Sequence, residues 1–288
     1  AAAVPELSLM PAGWRFWIDR GGTFTDVVAC SPSGALRVEK VLSEQPGQPG
    51  DPAVRVIRRL LGLALEWADE PAEPIPAGLV QEVRLGTTVA TNAFLEHKGA
   101  ATLLLVNRGF ADLLTIGDQH RPDLFALEIR RQPPLHQRVI EVGGRLAADG
   151  QELEPLQLDA ALQAQLLQAR ADGLGSVAVA LLHSTTNPSH ELALGAWLET
   201  LGFDPVALSH RVSPLPRLVP RGHTTVLEAA VAPVLSRYLQ QVQRALGPQV
   251  PLRVMQSSGV LADPDDLRAK DTILSGPAGG LVGAARTA

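Results

Sequence analysis

Short apolar runs and helical periodicities take turns along the chain. RFWID (15–19) and DVVAC (26–30) flank a glycine pair, and LRVEKVL (36–42) follows; short alternating or apolar runs bounded by Gly, Ser and Pro predict a meander of three adjacent strands. In DPAVRVIRRLLGLALEWA (51–68), Val54, Ile57, Leu61 and Leu65 fall on one helical face, with Asp51 at the N-cap and Pro52 at N1. EVRLG (82–86), TTVATNAFLEHKG (87–99) and ATLLLVN (101–107) then read as strand, helix and strand, the order of a parallel α/β unit. A second such unit follows in DAALQAQLLQARADG (159–173), SVAVALLH (176–183) and PSHELALGAWLETLG (188–202). The last long periodic segment, residues 223–247, carries Val226, Val231, Val234, Tyr238 and Val242, and Pro233 inside it predicts a kink through the loss of one backbone donor. Loops are expected near 43–52 and 69–78, and the turn-rich SHRVSPLPRLVPRG (209–222) reads as a domain joint. There is no internal repeat or low-complexity tract.

Composition narrows the function classes. With 288 residues, 45% of them hydrophobic, the chain can bury one or two sizeable cores. A net charge of −5 provides no field to draw in nucleic acid or anionic lipid, and the basic pairs Arg58-Arg59 and Arg130-Arg131 are isolated. The single cysteine, Cys30, reads as a small buried apolar residue; it supplies neither a disulfide nor a zinc site, which fits a reducing cytoplasm. No apolar run reaches the ~18 residues of a membrane span. Residues 1–13 read as a loose tail without the features of a signal peptide. The absence of an initial methionine and the ending GAARTA suggest a fragment.

Familiar nucleotide and hydrolase signatures are missing. There is no GxxxxGK[ST], HExxH or GxSxG. GLGSVA (173–178) matches a loose dinucleotide fingerprint but leads into a strand instead of leaving one, so it reads as the C-cap of the preceding helix. What remains is RFWIDRGGTFTDVVACSPSG (15–34). Gly21 and Gly22 allow a sharp turn whose N–H groups can approach an anion, and Thr23 and Thr25 add hydroxyls. Asp19 and Asp26 suit such a loop if Mg²⁺ lies between carboxylates and phosphate oxygens. The same residues also read as an ordinary hairpin with its polar side chains in water.

IDRGGTFTDVV resembles the first phosphate loop of the hydantoinase/oxoprolinase family, a branch of the sugar-kinase, heat-shock-protein and actin superfold. RLGTTVATNAFLEHKGA, GDQHRPDLFAL, APVLSRYL, VMQSSG and LSGPAGGLVGA resemble further family motifs in the same order. Together they span nearly everything from Trp14 to Ala285. The third is most similar to the ATP-hydrolysing 5-oxoprolinase branch.

The resemblance implies an α/β fold of the actin-like or sugar-kinase type: a ribonuclease H-like mixed sheet with flanking helices, incomplete at the C-terminus. Residues 14–205 would form the family's N-terminal domain and 206–288 the start of the hydantoinase A domain. It implies ATP and Mg²⁺ as cofactors. Phosphate contacts would come from Gly21, Gly22, Thr23 and Thr25, and from Gly86, Thr87 and Thr88, where a strand end meets a helix start. Ser275, Gly276, Gly279 and Gly280 would supply a further glycine loop opening a helix. Asp19 would hold the metal's water shell or orient the attacking group, with Asp26 as a second metal ligand or loop support. Arg121 is the candidate to grip the carboxylate of 5-oxo-L-proline bidentately, with Gln119 on the ring amide and Asp118 orienting the arginine. Ordinary capping by Thr87 or Thr88, close packing at 275–280 and a solvated polar loop at 118–122 remain open as alternatives.

The activity implied is ATP-driven opening of 5-oxo-L-proline to L-glutamate. The alternatives are a hydantoinase or ketone carboxylase subunit, and a non-catalytic remnant. A hydantoinase B type subunit or the C-terminal half of a longer chain would be the partner, in an oligomer. The family's second phosphate loop, similar to DMGGTSTD, is absent, and residues 209–225 depart from the family's glutamate-rich version. The chain alone is therefore expected to be inactive or a weak nucleotide binder.

Overall fold

The computed structural model describes residues 13–45, 47–48, 50–65, 73–118, 125, 127–128 and 133–287. In chain order the strands are β1 (Trp14–Arg20), β2 (Phe24–Cys30), β3 (Leu36–Leu42), β4 (Val80–Thr87), β5 (Thr102–Asn107), β6 (Arg138–Val142), β7 (Arg145–Leu146), β8 (Glu152–Glu154), β9 (Ser176–Ala180), β10 (Val206–Leu208), β11 (Leu252–Met255) and β12 (Leu261–Ala262). The helices are α1 (Pro52–Leu60), α2 (Val89–Leu95), α3 (Leu113–Ile116), α4 (Ala160–Ala171), α5 (Ser189–Thr200), α6 (Ser209–Val212), α7 (Leu218–Leu246) and α8 (Ser275–Thr287). The chain forms two compact units, one from residues 1–92 and 235–288, the other from 93–234.

The first unit is built on a six-stranded mixed sheet in the order β12-β11-β4-β1-β2-β3. β1, β2 and β3 form an antiparallel meander, while β4 runs parallel to β1 and β11 parallel to β4. The run β3-β2-β1-β4-β11 is the ribonuclease H-like order. Alternation along the meander sends Phe16, Ile18, Val27 and Ala29 to a buried face, and α1 packs across β2 and β3. Cys30 is buried, as expected. Asp51 caps α1, its Oδ1 accepting from Ala53 N at 2.8 Å and Val54 N at 3.3 Å. α1 is shorter than the periodicity predicts. It ends at Leu60, because Gly62 takes φ 68, a left-handed conformation incompatible with continuing the helix.

The second unit carries a four-stranded, all-parallel sheet in the order β10-β9-β5-β6, with the small β7-β8 ribbon beside it in sequence. Its central strands are buried on both faces, which is why TLLLVN and SVAVA read as continuous apolar runs. Leu103, Leu105, Val177 and Val179 join Leu166, Leu194 and Leu198 on one side. Leu104, Val106, Ala178 and Ala180 join Leu114, Val226 and Ala229 on the other. Gly173 takes φ 91 just past α4, with Leu174 N donating to Ala169 O at 3.0 Å, so GLGSVA is a helix C-cap.

The segment 209–222 is more ordered than its turn-rich composition predicts: it holds α6 and the first turn of α7. α7 is continuous through Pro233. A proline at 233 has no N–H for the carbonyl four residues earlier, Ala229, and that carbonyl accepts the Ser176 hydroxyl at 2.6 Å instead.

Candidate functional site

In the first unit the β1–β2 hairpin brings the quoted glycines and acids to one corner. Gly21 N closes the turn on Phe24 O at 3.0 Å. The glycines are required for close approach, not for a left-handed backbone, since neither has a φ in that region. A Cβ on Gly22 would lie 3.1 Å from Asn92 Nδ2, and one on Gly21 would lie 3.0 Å from Phe24 O. Gly22 and Thr23 are exposed at the tip, and among the described residues none bonds their N–H groups or the Thr23 hydroxyl.

Thr25 has a different place from Thr23. It is fully buried, and its hydroxyl meets Ser43 Oγ at 2.9 Å; Ser43 Oγ also lies 2.8 Å from Gly21 O, and Ser43 N donates to Thr23 O at 2.9 Å. Thr25 thus braces the hairpin from beneath. The expected phosphate contact from its hydroxyl is replaced by a bond inside the protein.

Asp19 pairs across the sheet with Asp26 on one side and Gly86 on the other, and Asp26 pairs with Lys40. Side chains at paired positions share a face, so Gly86, Asp19, Asp26 and Lys40 form a row across four strands. The two acids in it are not equivalent. Asp26 holds Lys40 Nζ at 2.6 and 2.8 Å from its two oxygens. Asp19 is exposed, and no described residue pairs with its carboxylate; a Cβ at Gly86 would stand only 3.5 Å from Asp19 Oδ1, so the glycine keeps that side open.

α2 begins where β4 ends, as expected, but its threonines are engaged. Thr87 is buried and its Oγ1 caps the helix by accepting from Val89 N at 3.2 Å. Thr88 donates to Arg20 O from its N–H at 3.0 Å and from its hydroxyl at 3.2 Å. Asn92 Nδ2 donates to Thr88 Oγ1 at 3.3 Å. These bonds fix the hairpin to the start of α2. Arg20 is held on its other side as well, its guanidinium 4.4 Å over the Tyr238 ring.

The segment SGPAGG departs from the expected loop: α8 is already helical at Ser275, whose hydroxyl donates to Thr87 O at 3.1 Å. Gly276, Gly279 and Gly280 have nothing within 4 Å of where a Cβ would stand, so close packing does not demand them. Instead they line a cleft of about 450 Å³ whose opposite wall includes Trp17, Asp19, Asp26, Arg84 and Gly86. Cleft and acid row therefore share one sheet face. Among the described residues no group of three His, Cys, Asp or Glu side chains could hold a metal. With Lys40 on Asp26, the donor set fits an ion bound through Asp19, with waters and phosphate oxygens completing its shell.

In the second unit, Asp118 follows Gly117, which ends α3 with φ 69. Gln119 and Arg121 lie outside the described residues. Gly222 on α7 meets α3 closely: a Cβ there would be 2.9 Å from Leu114 Cδ2. This brings His223 near Asp118, whose charge opposes the burial that lowers the imidazole's pKa. His136 Nδ1 is buried and has no hydrogen-bond partner among the described residues, and burial, then the charge of His223, hold its pKa below 6.5.

The polar cluster that the sequence did not reveal lies at the carboxyl ends of β9 and β10. Glu191 and Arg221 are fully buried. Glu191 accepts from Leu181 N at 2.9 Å, Ser209 Oγ at 2.6 Å, His210 N at 3.0 Å and His210 Nδ1 at 2.6 Å. Burial pushes its carboxyl pKa up, but these bonds outweigh it and hold it below 4.5. Arg221 donates to Ser209 Oγ at 2.9 Å, Leu215 O at 2.8 Å and Leu181 O at 2.7 Å. Each member is satisfied by another, so the cluster is self-contained.

A ribonuclease H-like mixed sheet with flanking helices, whose β1–β2 hairpin contributes Asp19 and Asp26 to the cleft wall, defines the α/β class of the fold. Comparison with known proteins gives the family. The hydantoinase/oxoprolinase N-terminal region matches residues 15–202 and the hydantoinase/oxoprolinase region matches 221–288, so the chain belongs to the hydantoinase/oxoprolinase family. It is 38% identical over 306 residues to 5-oxoprolinase 1 of Arabidopsis thaliana, matching 95% of this chain and 23% of that one. It is 34% identical over 279 residues to the caprolactamase subunit alpha of Pseudomonas jessenii, matching 92% of this chain and 38% of that one. The crystal structure of ATP-dependent caprolactamase from Pseudomonas jessenii superimposes with a TM-score of 0.72 at 32% identity, over 95% of this chain and 40% of the other. Nucleotide-free acetone carboxylase superimposes with a TM-score of 0.74 at 25% identity, over 94% and 40%. The chain spans about a quarter of the length of the curated 5-oxoprolinases it matches. Among the described residues no helix is long and apolar enough to cross a membrane.

Proposed function

We propose that this chain carries the nucleotide-handling and amide-recognising part of an ATP-dependent 5-oxoprolinase of the cytoplasm. The observation that carries the reading is the unpaired Asp19 carboxylate beside the exposed Gly22–Thr23 tip, on the face that walls the cleft of about 450 Å³. Backbone N–H groups at the tip are suited to phosphate oxygens, and Asp19 to a Mg²⁺ ion through its water shell. Thr25, Thr87 and Thr88 act one layer back, holding the tip in place through Ser43, Val89 and Arg20. Gly276, Gly279 and Gly280 leave room for the rest of the nucleotide.

An unstrained lactam carbonyl is a poor electrophile. Transfer of the γ-phosphoryl group to the amide oxygen would make its carbon a target for water, a step that asks the protein for positioning and charge neutralisation more than for a covalent nucleophile. Asp118, with Gln119 and Arg121, is the proposed amide and carboxylate recognition motif. A hydantoinase B type region, in the same chain or in a second subunit of an oligomer, would complete the enzyme. The curated relatives support a cyclic-amide substrate class, since the 5-oxoprolinases act on 5-oxoproline by name and the caprolactamase on caprolactam, whereas acetone carboxylase shares the fold with a substrate that is not an amide. The caprolactamase relationship favours a second reading, in which the substrate is a lactam without a carboxylate.

The test is ATP turnover by a polypeptide of the relatives' full length. Turnover stimulated by 5-oxo-L-proline and abolished in Asp19→Ala supports the first reading. Stimulation by caprolactam or hydantoin but not by 5-oxoproline selects the other, and turnover with neither leaves a binding scaffold.

A further inference from the structure

Lys40 was not among the residues that sequence reasoning singled out, yet register places it at the end of the acid row. β3 pairs with β2 so that Lys40 stands directly across from Asp26, which stands across from Asp19. Two carboxylates at directly opposed positions repel each other, and would repel a polyphosphate more strongly. Lys40 offsets one of those two charges through contacts of 2.6 and 2.8 Å to both Asp26 oxygens. The pair is not a structural staple: its side chains are 56% and 44% exposed, in the range where an ion pair contributes little to stability and exchanges partners readily. Its ammonium also lies 5.4 Å from the Phe24 ring, at the foot of the hairpin tip. Both Asp26 and Asp19 line the cleft.

We infer that Lys40 is the fixed cation of the phosphate site, released from Asp26 to a phosphate oxygen of the bound nucleotide, so that Asp26 serves as its holding partner and not as a second metal ligand. The inference rests on the reading of this hairpin as a nucleoside triphosphate site. It assigns opposite signs to two neighbouring residues. Lys40 promotes binding, whereas Asp26, which competes with phosphate for the same ammonium, opposes it.

The experiment is equilibrium binding of ATP to a polypeptide of the relatives' full length, with excess EDTA and again with Mg²⁺, for the wild type, Lys40→Met, Lys40→Arg, Asp26→Asn and the double variant Lys40→Met/Asp26→Asn. Circular dichroism establishes that each variant is folded. Losing a charge-assisted contact to phosphate should weaken binding by about tenfold in Lys40→Met, and Lys40→Arg should retain most of the affinity. Asp26→Asn should tighten binding by roughly threefold to fivefold, with the same sign in both buffers, and the double variant should lose that gain. A merely structural pair would give two small effects of the same sign. If the wild type binds ATP and Lys40→Met binds it equally well, the assignment of Lys40 is overturned while the nucleotide reading stands. If Asp26→Asn weakens binding in Mg²⁺ alone, Asp26 is a metal ligand and the inference is overturned. If the wild type binds no ATP in either buffer while the folded chain is intact, the hairpin reading falls and this one with it.

Discussion

The two units hold polar groups in opposite ways. In the second, Glu191, Ser209, His210 and Arg221 come from three separate segments and close on one another and on backbone groups, with both charged side chains fully buried. In the first, Asp19, Gly22 and Thr23 stand exposed with hydrogen-bonding capacity that no described residue uses. A satisfied buried network is an investment in one folded arrangement, because any member removed strands its partners in a low dielectric. Unused capacity at a cleft does nothing for the fold and is available to a ligand. The contrast separates polar residues that hold the fold from those left open at the surface without reference to their chemical type: each set contains an acid and a hydroxyl.

Substitutions should break along that line. The largest effect is expected from Arg221→Ala, which strands Leu181 O and Leu215 O and removes the buried positive charge nearest the Glu191 cluster; a loss of about 3–5 kcal/mol should appear as a fall in the urea midpoint. Asp19→Asn should leave that midpoint unchanged or slightly raised, because it relieves repulsion with Asp26, while removing Mg²⁺-dependent nucleotide binding. Ser43→Ala lies between the two classes. It strands Gly21 O and the Thr25 hydroxyl and should cost about 1–3 kcal/mol in the same titration, with weakened ATP binding as a secondary effect. Ser176→Ala should cost about 1 kcal/mol by leaving Ala229 O unpaired, with no change in ligand binding.

The smallest effect is a slope with pH. His136 has a folded pKa below its unfolded value of 6.5, so the unfolded chain takes up the proton first as pH falls. The stability that the neutral ring contributes is complete above pH 6.5 and is lost as pH drops from there through the folded value. His136→Phe should flatten the dependence of the melting temperature on pH in that window. An unchanged slope would mean that the buried Nδ1 gains a partner in solution.

The first unit was the more legible of the two in the sequence, for a physical reason. Alternation and the glycine pair in residues 15–30 specify a hairpin locally, and the row across the sheet follows from pairing once the register is known. Lys40 escaped notice because only that register distinguishes it from any exposed lysine on an edge strand. The short strands β10, β11 and β12 carry two to four residues each, too few for a period to show. Glu191 lies in a segment that reads as an ordinary helix and Arg221 in one that looks turn-rich, and their burial comes from contacts between positions 10 to 40 residues apart. Thr25 was assigned outward by composition, although the two-residue period places it on the face opposite Asp26. The start of α8 was read as a loop because its glycines suit one, whereas helical bonds with open space around them accommodate glycine equally well.

The proline in α7 has a wider consequence. A proline inside a long helix leaves one acceptor without its helical donor, and here that acceptor meets one hydroxyl on one strand. Sliding β9 by a single position would turn that hydroxyl to the other face and orphan the acceptor in an apolar interior. An apparent flaw in the helix thereby works as an address, telling a strand some fifty positions earlier in the chain where to stop.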